Sequence, residues 1–425
     1  MTIDAQPSWM IATEDIEHCN KCGFCLPVCP TYQLTSNELQ SPRGRIAMIE
    51  AAIQGEISIG EGLDDSLSHC LDCRACETAC PSGVRYHRIL ETGRDMLRSA
   101  SHSKQRSQLS FATRQILKLV KKPQWFRGVV RVGNRFKKIS LPKPLESLKP
   151  FLGYTEQQIA KVTLSSSTAT FAVEFFEGCI MSAQFADANQ AAKNLLARGG
   201  IQSDSPAQQG CCGALHLHSG YAEEAKAMAR QNIDVFLHSE KLIVNTAGGC
   251  GAMLMQYGEL LADDPKYADK ARQFSARVRD WATVFNRVQH KVPLRGSGKR
   301  VTLQNSCHLV NVEHAGQDTV DLLKGVTGDL FVPYSGQDSC CGSAGTYNIE
   351  QREWAMSILE QKMIILADMQ PDLIIVNNPG CHFQMRWGVQ RYDWDADRVQ
   401  HLAVYLERAA QRAERMLDQG ECVDA

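Results

Sequence analysis

Two short cysteine runs, Cys19-x2-Cys22-x2-Cys25-x3-Cys29-Pro30 and Cys70-x2-Cys73-x2-Cys76-x3-Cys80-Pro81, share one internal spacing and constrain this chain more than any other feature. With this spacing three close thiolates hold one [4Fe-4S] cluster, and the fourth cysteine of the run reaches the other cluster. The expected ligand sets are therefore Cys19, Cys22, Cys25 and Cys80 for a first cluster, and Cys70, Cys73, Cys76 and Cys29 for a second. Structural zinc also uses cysteines two residues apart, but four ligands close its tetrahedral site. A third cysteine and a Cys-Pro in each run exceed what zinc would use.

The cysteine count bears on compartment. Of 17 cysteines in 425 residues, only Cys422 stands outside a metal-like constellation. Disulfide scaffolds belong to short secreted chains, so this usage points to a reducing compartment, the cytoplasm. Residues 1–10 show no basic segment followed by an apolar core, and no apolar run approaches the ~20 residues that span a bilayer. The formal net charge of -1 gives no global reason to expect nucleic acid.

Behind the first run, Ser41 can cap a helix, Pro42 suits its first position, and Ile46, Ile49 and Ile53 recur on one face until Gly55. A second helix carries Ile89, Leu90, Met96 and Leu97 on one stripe. Residues 1–100 thus read as an α-helical ferredoxin domain with two clusters. Arg43 and Arg45 sit near a helix start, where cations oppose the macrodipole, so they either face the anionic cluster assembly or a neighbouring subunit, or are a solvated pair. His18 and His69 precede the first cysteine of each run and could donate toward cluster sulfur, though coincidence serves as well.

Composition changes at residue 101. Between 101 and 150, thirteen Lys or Arg face one acidic residue, Glu146, in a chain whose remaining residues are net acidic. Apolar residues such as Ile116, Leu117, Leu119, Val120, Trp125, Phe126, Val129 and Val130 are interleaved. The mixture suits peripheral contact with the inner face of a membrane or an acidic partner, and equally a solvated connector. Residues 101–168 are read as a basic linker or docking segment, with Pro142, Pro144 and Pro150 marking its linker part.

The remainder is duplicated. Cys179, Cys211, Cys212 and Cys250 are matched by Cys307, Cys340, Cys341 and Cys381 at offsets of 128 to 131 residues. Strands are expected near 171–176, 241–245, 301–304 and 373–376, alternating with helices near 183–197, 221–237, after 316 and over 350–367. That alternation argues for parallel α/β units with the cysteines at loop ends, where such folds place their sites. The expected fold class is an α-helical ferredoxin domain followed by an α/β domain of two duplicated cysteine-rich (CCG) repeats, 169–290 and 291–425, the second with a C-terminal helix. Eight thiols in register point to one or more further iron-sulfur clusters or a redox-active thiol set rather than packing alone. Gly213 and Gly342 would let the backbone approach a bulky inorganic core. His216, His218, His308 and His382 lie close to these cysteines and are read as proton-handling residues or, more often, as exposed or satisfied histidines.

With both halves in view, the sequence resembles the glycolate oxidase iron-sulfur subunit family, which joins a two-cluster ferredoxin domain to tandem CCG repeats. The carriers are the two cysteine runs, Ser41-Pro-Arg-Gly-Arg45, Glu177-Gly-Cys179, Gln209-Gly-Cys-Cys-Gly-Ala214, Asn245-Thr-Ala-Gly-Gly-Cys250, Asp338-Ser-Cys-Cys-Gly-Ser-Ala-Gly345 and Asn378-Pro-Gly-Cys381. Heterodisulfide reductase relatives have another cysteine where this chain has Ala247 and Asn378, which argues against their noncubane cluster and chemistry. The resemblance implies electron transfer within a multi-subunit glycolate dehydrogenase. A separate FAD-binding subunit would oxidise glycolate to glyoxylate, and this chain would relay electrons toward quinone or another acceptor. No G-x-G-x-x-G after a strand is present for a flavin of its own, and no catalytic residue is assigned. A relay for lactate or glycerol-3-phosphate oxidation, and a thiol or heterodisulfide reductase acting at the Cys-Cys-Gly turns, are the competing expectations.

Overall fold

A computed structural model describes residues 9–100, 109–122, 125–130, 154, 158–163 and 170–420. Cys422, the linker prolines and most of the basic segment lie outside the described residues. Within 9–100 the backbone is helical, with helices Trp9–Glu17, Pro30–Thr35, Pro42–Ile53, Glu61–Ser68, Ala75–Thr78 and Tyr86–Ser99, and it contains no strand. The Pro42–Ile53 helix starts as its sequence dictates: the Ser41 hydroxyl accepts from the Gly44 amide at 3.0 Å, and Pro42 occupies the first turn. Gly44 is required because a Cβ there would lie 2.0 Å from the Glu38 carbonyl oxygen. Ile46 and Ile49 meet Leu63, Leu67, Ile89 and Leu90 in a small core. Each such buried aliphatic contributes about 1.5–3 kcal/mol.

Seven strands form two wholly parallel sheets: β1 (Phe171–Phe175), β2 (Ile201–Asp204), β3 (Leu242–Asn245) and β4 (Val278–Asp280), then β5 (Val301–Gln304), β6 (Leu373–Val376) and β7 (Val399–His401). The first sheet runs β2-β1-β3-β4 and the second β5-β6-β7. The counterpart of β2 in the second unit is a single parallel bridge, Val301 to Phe331. β5 and β6 are buried along their whole length, as parallel strands covered on both faces must be.

The two α/β units pack reciprocally. Helix Ala186–Arg198 of the first lies on Leu402–Asp418 of the second, and the matching Gly316–Thr327 lies on Trp281–Asn286. Asn194 and Arg198 both reach the buried Glu407. Where the units meet, the Gly248 and Gly249 amides donate to the Asn377 carbonyl and the Asn378 side-chain oxygen.

The helical domain is fastened to both units. Toward the first, His87 bonds Glu77 at 2.8 Å through Nδ1 and Glu259 at 2.9 Å through Nε2. Burial and Arg74 oppose its charge, but the Glu259 and Glu77 carboxylates prevail and hold its pKa at about 9. A folded pKa above the ordinary 6.5 means that this fastening is complete below pH 6.5 and fades as pH rises through about 9. His87→Leu should weaken the docking by about 2–3 kcal/mol, less than a fully buried pair because Glu259 rehydrates. Amide exchange of 75–90 between pH 7 and 10 checks this: the parent should accelerate beyond the intrinsic base-catalysed rate, whereas the variant should be fast throughout.

Candidate metal centres

The two cysteine runs follow the same backbone path. Lys21 and Gly23 in the first, and Asp72 and Arg74 in the second, hold left-handed conformations at the same offsets from Cys19 and Cys70. Non-glycine residues adopt this region at a cost that surrounding structure must sustain. Each loop wraps a small cavity. Cys19, Cys22, Cys25 and Cys80 line one, which Cys76 also borders, and Cys29, Cys70, Cys73 and Cys76 line the other. The structure thus brings Cys29 to the second run and Cys80 to the first, and all eight thiols are free.

These surroundings differ in depth. Cys22 is exposed, whereas Cys29, Cys70 and Cys73 are buried. Burial pushes the Cys73 and Cys76 thiols well up, and neighbouring thiols add to the shift. Four thiols gathered at one point ionise together only around a cationic core, so the donor set fits an iron-sulfur cluster. Arg45 sits beside this set almost fully buried, donating to the Ser66 carbonyl at 2.8 Å, Gln40 Oε1 at 2.8 Å and Thr31 Oγ1 at 3.2 Å. Thr31 Oγ1 is in turn 3.2 Å from Cys29 Sγ, and Tyr86 Oη lies 3.5 Å from Cys70 Sγ. Arg43 instead turns outward to Glu38.

In each α/β unit the first and last cysteines follow adjacent parallel strands. Cys179 opens a helix after β1 and Cys250 lies in one after β3, as Cys307 and Cys381 do after β5 and β6. Cys179 Sγ is 3.4 Å from Cys211 Sγ, and Cys212 Sγ is 3.6 Å from Cys250 Sγ, well beyond a disulfide bond of ~2.05 Å. Four unbonded thiols at one place suit a thiophilic metal group. All eight, with Cys70, line a single cavity of about 500 Å³ between the helical domain and both units.

The second unit stands nearer the ferredoxin-type cysteines. Cys73, Cys307 and Cys340 belong to one packed group with Leu71 and Tyr347. Asn311, closing the helix that Cys307 opens, donates to the Cys73 carbonyl at 2.9 Å and accepts from Thr78. His308 Nε2 lies 2.7 Å from the Asp72 carbonyl oxygen.

Several expectations need revision. Gly342 and Gly213 serve helix packing: both have φ near +90°, and a Cβ on Gly342 would lie 2.6 Å from the Ala355 carbonyl oxygen. His216 and His382 are buried without ring-nitrogen partners rather than exposed or satisfied, and His382 packs edge-on to Phe185 and Tyr154. His18 is exposed, and His69 stacks on Trp354 with centroids 4.0 Å apart. The sequence reading missed the buried Asp72, which meets the half-buried His218 at 2.7 Å beside Glu91. Its position inside the second run was the available signal.

The 4Fe-4S dicluster domain family matches residues 15–84, and the cysteine-rich CCG domain family matches 173–255 and 301–386. The probable glycolate oxidase iron-sulfur subunit of Bacillus subtilis is 37% identical over 93% of this chain and 94% of its own. The glycolate oxidase iron-sulfur subunit of Escherichia coli is 34% identical over 85% of this chain and 88% of its own. A crystal structure of a hypothetical protein from Helicobacter pylori, 9% identical, shares the fold with a TM-score of 0.55 over 98% of this chain and 75% of that one. The dicluster match, the doubled CCG match and the two likenesses over most of the chain converge: this chain belongs to the glycolate oxidase iron-sulfur subunit family.

Proposed function

We propose that this chain carries electrons from a separate FAD-binding subunit, which oxidises glycolate to glyoxylate, toward quinone or another acceptor. The observation that carries the reading is the unbroken succession of thiol sets from the exposed Cys22, through the buried Cys29, Cys70 and Cys73 with the half-buried Cys76, to Cys307 and Cys340. Iron-sulfur clusters bound there supply one-electron steps, at potentials set by their hydrogen bonds, charge and burial. Cys19, Cys22, Cys25 and Cys80 would hold one cluster and Cys29, Cys70, Cys73 and Cys76 another. The CCG thiols Cys179, Cys211, Cys212, Cys250, Cys307, Cys340, Cys341 and Cys381 would hold any further ones. Asn311 and His308 fix the second unit against the Cys73 loop, which favours entry into the α/β domain by way of Cys307 and Cys340.

Purification of the native complex without air tests this. Roughly eight iron and eight sulfide per chain from the helical domain alone are expected, with a flavoprotein in the same particle. Colourless protein, or iron without a flavoprotein partner, would defeat the reading.

The same reading places the chain at the inner face of the membrane. No described helix is long and apolar enough to cross one. Helix Phe111–Val120 and residues 125–130 expose Arg114, Lys118, Lys122 and Arg127 beside Phe111, Trp125 and Val129. Basic residues with exposed aromatics suit an anionic lipid surface at about 1 kcal/mol per cation. Glutamate at Lys118, Lys122 and Arg127 together should lower co-sedimentation with phosphatidylserine-containing vesicles at least tenfold. Unchanged binding would remove this segment from membrane contact.

A further inference from the structure

The cavity of about 500 Å³ has a wall that no metal cluster explains. Leu109, Ile116, Leu119, Phe126, Val129 and Val130 contribute to it and offer no thiolate. They belong to the segment whose outer side exposes Lys118, Lys122, Trp125 and Arg127. This segment bridges the two units. Ser110 Oγ donates to Glu350 Oε1 at 2.7 Å in the second, and Val120 packs with Cys211, Cys212 and Leu217 of the first. One stretch of chain therefore roofs the thiol-lined cavity with its apolar side and turns cations and a tryptophan outward. Two buried polar atoms in the lining, Gln184 Oε1 and Ser343 Oγ, have no protein partner. A ligand that supplies hydrogen-bonding oxygens would satisfy the Ser343 hydroxyl.

We propose that this apolar side of the cavity binds a bilayer-soluble acceptor of the quinone class, which enters beneath residues 109–122 and 125–130. The inference rests on the relay reading above and adds the place where its electrons leave. The chemistry balances: a 2-hydroxy acid oxidised on the flavoprotein subunit yields two electrons and two protons. Two electrons delivered by this chain, with two protons from solvent, convert the quinone to its quinol. An apolar ring and tail match the aliphatic wall, a carbonyl oxygen matches the Ser343 hydroxyl, and the basic outer face holds the opening against anionic lipid.

The test is photolabelling of the native complex with an azido derivative of a short-chain ubiquinone, followed by peptide mapping. Label is expected in peptides covering 109–130 and 340–351, and a tenfold or greater loss is expected in both Ile116→Trp and Val129→Trp. Val129 is 49% exposed, so its replacement fills the opening without burdening the core. Leu417→Trp, on an exposed helix surface outside the lining, should label as the parent does. Label confined to other peptides, or undiminished in both tryptophan variants, overturns the site. A complex that passes electrons to a soluble dye yet takes no label here also overturns it, while the relay reading stands. Label here in a complex that passes no electrons supports the site and overturns the relay.

Discussion

Serine in place of Cys29 is expected to remove about four iron atoms, and they should be those held by the second cysteine run rather than by its own. The reason is geometric: Cys29 lines the cavity of Cys70, Cys73 and Cys76, while Cys80 lines that of Cys19, Cys22 and Cys25. Iron analysis of double variants decides the matter. Adding Cys73→Ala to Cys29→Ser should cost no further iron, because both act on one group, whereas adding Cys22→Ala should remove about four more. The reverse pattern would show that each run closes on its own fourth cysteine. Electron flow from 2-hydroxy acid to acceptor should fall at least a hundredfold in Cys29→Ser, because among the described residues no other thiol set stands between the exposed run and Cys307.

The second large effect is expected at Arg45. Its guanidinium is buried beside Cys70 and Cys29, where burial works against the charge and the sulfurs and Tyr86 favour it, with the net shift upward. A cation fixed there stabilises the more negative, reduced form of whatever the thiols hold. At an effective dielectric near 20 and several ångströms, one charge is worth about 2 kcal/mol, or on the order of 50–100 mV for one electron. Arg45→Met should lower the midpoint potential of the second ferredoxin site by that amount, read by redox titration with electron paramagnetic resonance. Arg45→Lys keeps the charge while losing the three-way hydrogen bonding, so it should recover most of the potential but little of the stability. Equal potentials in the parent and both variants would limit Arg45 to packing.

Features dictated by local chemistry were legible in the chain. Val301–Gln304 and Leu373–Val376 are strands where the apolar runs stand, and the helix after Ser41 starts at Pro42 as its cap requires. Two edge strands were not: Val278–Asp280 and Val399–His401 span three residues each, too few for a period, and their ends carry Asp280 and His401. Those polar ends are helix caps, accepting from the Ala282 and Ala403 amides, so their role belongs to the next element. Spacing grouped the cysteines into runs and repeats but could not tell which repeat meets the helical domain. That depends on Asn311 and His308, whose partners lie more than 230 residues away in sequence. Arg43 and Arg45, two residues apart, were indistinguishable until tertiary partners separated them, Glu38 at the surface for one and Gln40 with Ser66 in the interior for the other.

The reciprocal packing of helix Ala186–Arg198 on Leu402–Asp418 and of Gly316–Thr327 on Trp281–Asn286 is what two identical molecules make when they associate face to face. Once fused, such halves would be equivalent, and a chemical step on one would be as favourable as on the other. Attaching a further domain at one end of the chain breaks that equivalence, because it can press on only one half in a given manner. Here it abuts Cys307 and Cys340 while the sister cysteines sit against the basic helix. Ligand sets of matching composition thereby acquire unequal surroundings, and a gradient along the molecule arises without any change in the residues that do the holding.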